Sequence, residues 1–225
     1  MDIYRLAAHL LAYPDARLQA ALPALAAELR AEQCLPASLR QGLEQAMQAL
    51  ARTDLLDLQE TYVGTFDRIR SLSLHLFEHV HSDTRQRGPA MLDLVELYRA
   101  NGLDVTASEL PDYLPLFLEF LSTLDPAKAA HHLGDAGDIL GALHDRLAKR
   151  ASPHAAVFAV LLHMAGATAT PLDEAPEELD FAALDRAWEE AAVAFGPDNN
   201  PATAGGCDQA ATMVARMNAP VAARE

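Results

Sequence analysis

His75, His79 and His81 stand close together beside Glu78 and Asp83, and these are residue types that bind zinc. On a helix His75 and His79, at i and i+4, would share a face, as the histidines of zinc-binding helices do. Metal-dependent hydrolysis using His75, His79 and Glu78 is the chemistry such a group would perform. Against it, Glu78 directly precedes His79, so the HExxH order is missing, and no third ligand has suitable spacing. Nucleophilic catalysis has no foothold either. There is no GxSxG, and neither Cys34 nor Cys207 carries a local signature. Nucleotide-binding loops of the GxxxxGK[ST] and GxGxxG kinds are also missing.

The stretch from Glu60 to Leu124 offers binding instead. It sets ionisable side chains among large apolar ones, so that apolar pockets anchor a peptide and charges select and orient it. The candidates are Tyr62, Phe66, Asp67, Arg68, Leu76, Phe77, Glu78, His79, His81, Asp112, Tyr113, Leu116 and Glu119. Tyr62 and Phe66, at i and i+4, also fit an ordinary core stripe. Asp112, Glu119 and Thr123 are spaced close to two and three helical turns, which predicts one polar face on an otherwise apolar helix. Buried carboxylates there need cations. Arg68, Arg70, Arg85 or Arg87 could supply them from within, or a basic peptide from outside.

These residues need a helical scaffold. Ile3, Leu6 and Leu10 form one stripe, ended by Tyr13-Pro14; Leu18, Leu22, Leu25 and Leu29 form the next. Leu39, Leu43, Met47 and Leu50 form a third. Thr53-Asp54 can cap a fourth carrying Leu55, Leu58, Tyr62 and Phe66. A helix from about Ser71 would carry Leu72, Leu76 and Val80, and another runs from about Pro89 to Ala100, closed by Asn101-Gly102 with Leu103 folding back. The segment 112–124 is apolar nearly all round and reads as a central buried helix. Ile139, Leu140, Leu143 and Leu147 stripe the next, and Ser152-Pro153 starts one bearing Val157, Phe158, Leu161 and Leu162. Strand signals are nearly absent. The expectation is an all-α fold, a single globular helical domain of roughly ten helices. Residues 1–168 would be the helical core, 169–195 an acidic segment with an amphipathic helix around Phe181, Leu184 and Trp188, and 196–225 a flexible tail.

Composition narrows the partners. The chain has 225 residues, 51% of them hydrophobic, and a formal charge of -15, which would repel nucleic acid and attract a basic segment. Two distant cysteines fit a reducing compartment. Arg5, His9 and Asp15 interrupt any signal-like start, and no apolar run could span a bilayer. The expectation is a cytoplasmic protein without membrane insertion.

Three runs carry a family resemblance. They are Phe66-Asp67-Arg68, Ser73 to His81 followed by Arg85-Gln86-Arg87-Gly88, and Glu109-Leu110-Pro111-Asp112-Tyr113-Leu114-Pro115-Leu116. Leu11 to Asp15 and Trp188-Glu189-Glu190 with Phe195 add to them. From about residue 3 to residue 196 the chain resembles the NarJ family, the private assembly chaperones of respiratory nitrate reductase, within the wider group of molybdoenzyme chaperones. It departs from that group in having Asp112-Tyr113 where Asp-His is usual. The resemblance implies a non-catalytic chaperone that binds the N-terminal segment of the apo catalytic subunit. It would hold that client open for the molybdenum–bis-guanine-dinucleotide cofactor and block early membrane docking. It implies no stably bound cofactor, only assistance in delivery, with cofactor-biosynthesis proteins as further partners. The chaperone would be a monomer or weak homodimer. A helical adaptor for some other amphipathic helix is the alternative.

Overall fold

The structure, a computed structural model, describes residues 1–80, 84–105 and 109–168, with side chains of 84–87 excluded. His81 and the predicted segments 169–195 and 196–225 lie outside the described residues.

Ten α-helices form among the described residues, and no strand. They are α1 (Ile3–Leu11), α2 (Ala16–Ala31), α3 (Ala37–Arg52), α4 (Leu55–Tyr62), α5 (Leu76–Val80), α6 (Thr84–Ala100), α7 (Leu114–Leu121), α8 (Pro126–Asp135), α9 (Gly137–Lys149) and α10 (Ala155–Met164). Aspartates start four of them by accepting an orphan backbone N–H. Asp2 takes that of Arg5 at 3.1 Å, Asp15 that of Leu18 at 2.7 Å, Asp54 that of Leu56 at 2.9 Å and Asp125 that of Lys128 at 3.1 Å.

Packing follows the apolar stripes. α2 lies on α3, α1 on α7, and α10 against both α9 and α3. Leu114, Leu118 and Leu121 of α7 are fully buried, as are Leu140, Leu143 and Leu147 of α9 and Phe158 and Leu161 of α10. Each such side chain contributes roughly 2 kcal/mol of burial free energy. The predicted central helix is thus α7, although it is shorter than the 112–124 expected, with Pro115 in its first turn. α8 is an addition to the predicted helices, and Asp125-Pro126 starts it as a cap followed by a first-turn proline.

α6 ends as the sequence suggests. The Leu103 N–H donates to the Tyr98 carbonyl at 3.0 Å and that of Gly102 to Arg99 at 2.9 Å, with Gly102 at φ 82°. A Cβ on Gly102 would meet nothing within 4 Å, so the penalty for adding one is purely conformational. Gly102→Ala should therefore destabilise by about 1 kcal/mol in urea denaturation; an unchanged midpoint would contradict this reading.

The segment after α4 departs from expectation. Instead of a helix from Ser71 to Val80, Val63–Asp67 forms a π-helical turn and Arg70–Leu72 a 3₁₀ turn; extended backbone then leads to α5. The cause is tertiary. The Leu114 N–H donates to the Leu74 carbonyl at 2.8 Å and the Leu76 N–H to the Asp112 carbonyl at 3.0 Å. His75 lies opposite Tyr113 in an isolated antiparallel bridge. Those pairings withdraw residues 73–75 from any helix. Leu72 and Leu76 stay buried, while Val80 is 59% exposed.

Candidate functional site

The bridge between the two segments is fastened by Asp112, whose side chain is wholly buried. One carboxylate oxygen accepts the Phe77 N–H at 3.1 Å, in the first turn of α5, and the other faces His75 Nδ1 at 3.3 Å. The expected polar face of Asp112, Glu119 and Thr123 does not form. Asp112 precedes α7, Glu119 is exposed on it, and Thr123 follows it.

A second fastening runs through phenols. The Tyr62 hydroxyl donates to the Leu11 carbonyl at 2.9 Å and lies 3.0 Å from the Tyr113 hydroxyl. A phenol has one proton, so Tyr113 must donate to Tyr62. Burial, above all, raises the pKa of both phenols, and Asp67 and Glu109 add to the rise. Tyr98 donates to the Pro111 carbonyl at 2.7 Å and steadies the same loop.

Between these fastenings lies a cavity of about 200 Å³. Its walls are Tyr13, Tyr62, Phe66, Leu74, His75 and Tyr113, and its polar groups include Asp67 and Glu109. Tyr13 meets Tyr62 edge-on at 5.5 Å, and Phe66 lies 5.0 Å from Tyr62. The π-helical turn brings Phe66 inward and leaves Asp67 exposed at its end. Desolvation by the aromatic walls raises the Asp67 pKa, the Glu109 charge adds to this, and His75 opposes it. Neither carboxylate makes an ion pair among the described residues. An aromatic hollow edged by two carboxylates can take a cationic group through charge and through the ring faces.

Residues 32–160 match the nitrate reductase delta subunit family. The chain belongs to that family. It is 41% identical to the nitrate reductase molybdenum cofactor assembly chaperone NarJ of Escherichia coli K12 over 196 residues, covering 84% of this chain and 83% of that one. The probable chaperone NarW of the same strain is 44% identical over 156 residues, 67% of this chain and 68% of its own. The probable NarJ chaperone of Bacillus subtilis 168 is 33% identical over 156 residues, 68% of this chain and 82% of its own. These relatives are named as assembly chaperones, not as catalysts.

In this family member the expected site residues divide. Tyr62, Phe66, Asp67 and Tyr113 share the aromatic cavity. Leu116 and Glu119 line a different cleft of about 540 Å³, with Arg5, His9, Leu103 and Phe120 among its other walls. Asp112 and Leu76 are buried behind the surface, and Phe77 and Glu78 are half-buried on α5. Arg68 is exposed beyond the π-helical turn, its N–H closing that turn on Val63.

His75 and His79 do not share a helix face, because His75 lies in the bridge and His79 is in α5. His79 Nε2 donates to the Ser73 carbonyl at 2.8 Å, and burial, above all, lowers its pKa. No group of three or more metal-ligating side chains is arranged to hold an ion among the described residues. Glu109 and Tyr13 were missed as site residues, although both lie in the runs that carry the family resemblance.

Proposed function

We propose that this protein is a dedicated chaperone of a respiratory nitrate reductase. It binds the N-terminal segment of the catalytic subunit, holds the apoenzyme open for insertion of the molybdenum–bis-guanine-dinucleotide cofactor, and delays membrane docking. It retains no cofactor of its own and acts in the cytoplasm. The observation that carries this reading is the aromatic cavity with Asp67 and Glu109, in a chain whose relatives are named molybdenum cofactor assembly chaperones. The client segment lays an apolar face on the scaffold, in helix-in-groove fashion, and presents its basic side chains to the two carboxylates. The overall charge of -15 steers such a segment from a distance. Asp112 works from behind, by holding Tyr113 and α5 in place.

Asp67→Asn combined with Glu109→Gln should weaken binding of a client N-terminal peptide by about tenfold or more, equal to about 1.4 kcal/mol. The wild-type affinity should fall as salt rises and that of the double variant should fall less. Both carboxylates are surface groups, so thermal stability should hold. Equal affinities for the two proteins would remove this cavity from the client site.

A further inference from the structure

The aromatic cavity lies at one end of the α1–α7 pair, with Tyr13 just after α1 and Tyr113 just before α7 in its wall, and the larger cleft lies on the pair itself. Tyr62 joins the carboxyl end of α1, at Leu11, to Tyr113 at the start of α7. Further along, Arg5 and His9 of α1 line one cleft with Leu116, Glu119 and Thr123 from α7 and the residues just after it. α1 and α7 are therefore antiparallel, with the aromatic cavity at the Leu11–Tyr113 end of the pair and the larger cleft farther along it. From Tyr113 to Thr123 the α1–α7 seam is about 15 Å long at 1.5 Å per residue, enough for a helix of about ten residues.

The charges along it are unequal. The Tyr113 end carries Asp67 and Glu109, neither in an ion pair among the described residues. At the other end Asp104 pairs with Arg99 at 3.4 Å, leaving Arg5 and His9 beside Glu119. The larger cleft also has apolar walls in Leu103, Leu116 and Phe120. A helix carries partial positive charge at its N-terminus and partial negative charge at its C-terminus. A segment that begins a protein adds an α-ammonium group at the positive end. The reverse placement would set orphan carbonyls against Asp67 and Glu109.

We propose that the client helix lies along the α1–α7 seam with its N-terminal end in the Tyr62–Tyr113 cavity and its C-terminal end beside Arg5 and His9. This polarity rests on the chaperone reading above and makes the client run parallel to α7. Arg5 and His9 become contact residues, and the larger cleft becomes the second half of a single groove.

The test is paramagnetic broadening of backbone amide signals in the full-length protein. Two forms of a synthetic peptide copying the catalytic subunit's N-terminal segment carry a nitroxide near the first or near the last residue. The first label should broaden Glu109 and Tyr113 more than Arg5 and His9, and the second should do the reverse. An inverted pattern would overturn the polarity while leaving the chaperone reading intact. So would a bound peptide that broadens only one end of the seam from both labels. A peptide that does not bind at all would remove the chaperone reading itself, and the polarity with it.

Discussion

Asp112→Ala should cost about 3 kcal/mol of folding stability, more than any surface change in the candidate site. The carboxylate is fully buried, accepts the Phe77 N–H and faces His75. Truncation removes the side-chain acceptor of a backbone N–H of α5 and a polar partner of His75; an orphaned buried donor alone costs about 1–3 kcal/mol. The bridge between His75 and Tyr113 depends on the same anchor, so client affinity should fall too. Asp112→Asn retains shape and one carbonyl oxygen and should lose less. Urea denaturation of both variants reads the difference. A loss below about 0.5 kcal/mol for Asp112→Ala would contradict an anchoring role.

The second large effect is acid sensitivity through His154. This side chain stands at the start of α10, packs edge-on against Phe66 at 5.1 Å and is 5% exposed. Burial pushes its pKa down to about 4. In the unfolded chain an imidazole titrates near 6.5. The unfolded state therefore takes up the proton first. His154 stabilises the fold fully above about pH 6.5, and that contribution disappears as pH falls through about 4. The span between the two values is worth about 3 kcal/mol. His79 shifts in the same direction. The stability lost between about pH 7.5 and pH 4.5 should be clearly smaller in His154→Leu than in the wild type, because only the wild type must charge this imidazole. Identical losses would mean that His154 is not buried neutral.

How far these features could be read in advance depends on how local their causes are. The leucine stripes of α2, α9 and α10 and the Gly102 cap are written in short-range spacing, and they form where the residues suggest. The segment from Ser71 to Val80 has the same helical spacing, yet its backbone is claimed by Asp112 to Leu114, about 40 residues away, and no local rule reports that pairing. For the same reason the spacing of Asp112 and Glu119 predicts a shared helix face that does not form. Asp112 is a buried anchor, and Glu119 faces another cleft. Tyr62 and Phe66 suit both a core stripe and a site, and each is buried at 4% exposure while lining the cavity. Glu109 gains its significance only from proximity to Asp67 across the fold, and its position before Pro111 offers no periodic signal.

The most direct measurement is isothermal titration calorimetry of the full-length protein with a peptide copying the N-terminal segment of the cognate catalytic subunit. A scrambled peptide of the same composition is the control, since it keeps the charge and destroys the apolar face. The predicted result is saturable binding of one peptide per chain, micromolar or tighter, about -8 kcal/mol or better, with the scrambled peptide far weaker. Equal binding of the two peptides, or none in a sample whose helical circular dichroism is intact, would contradict a client groove on this protein.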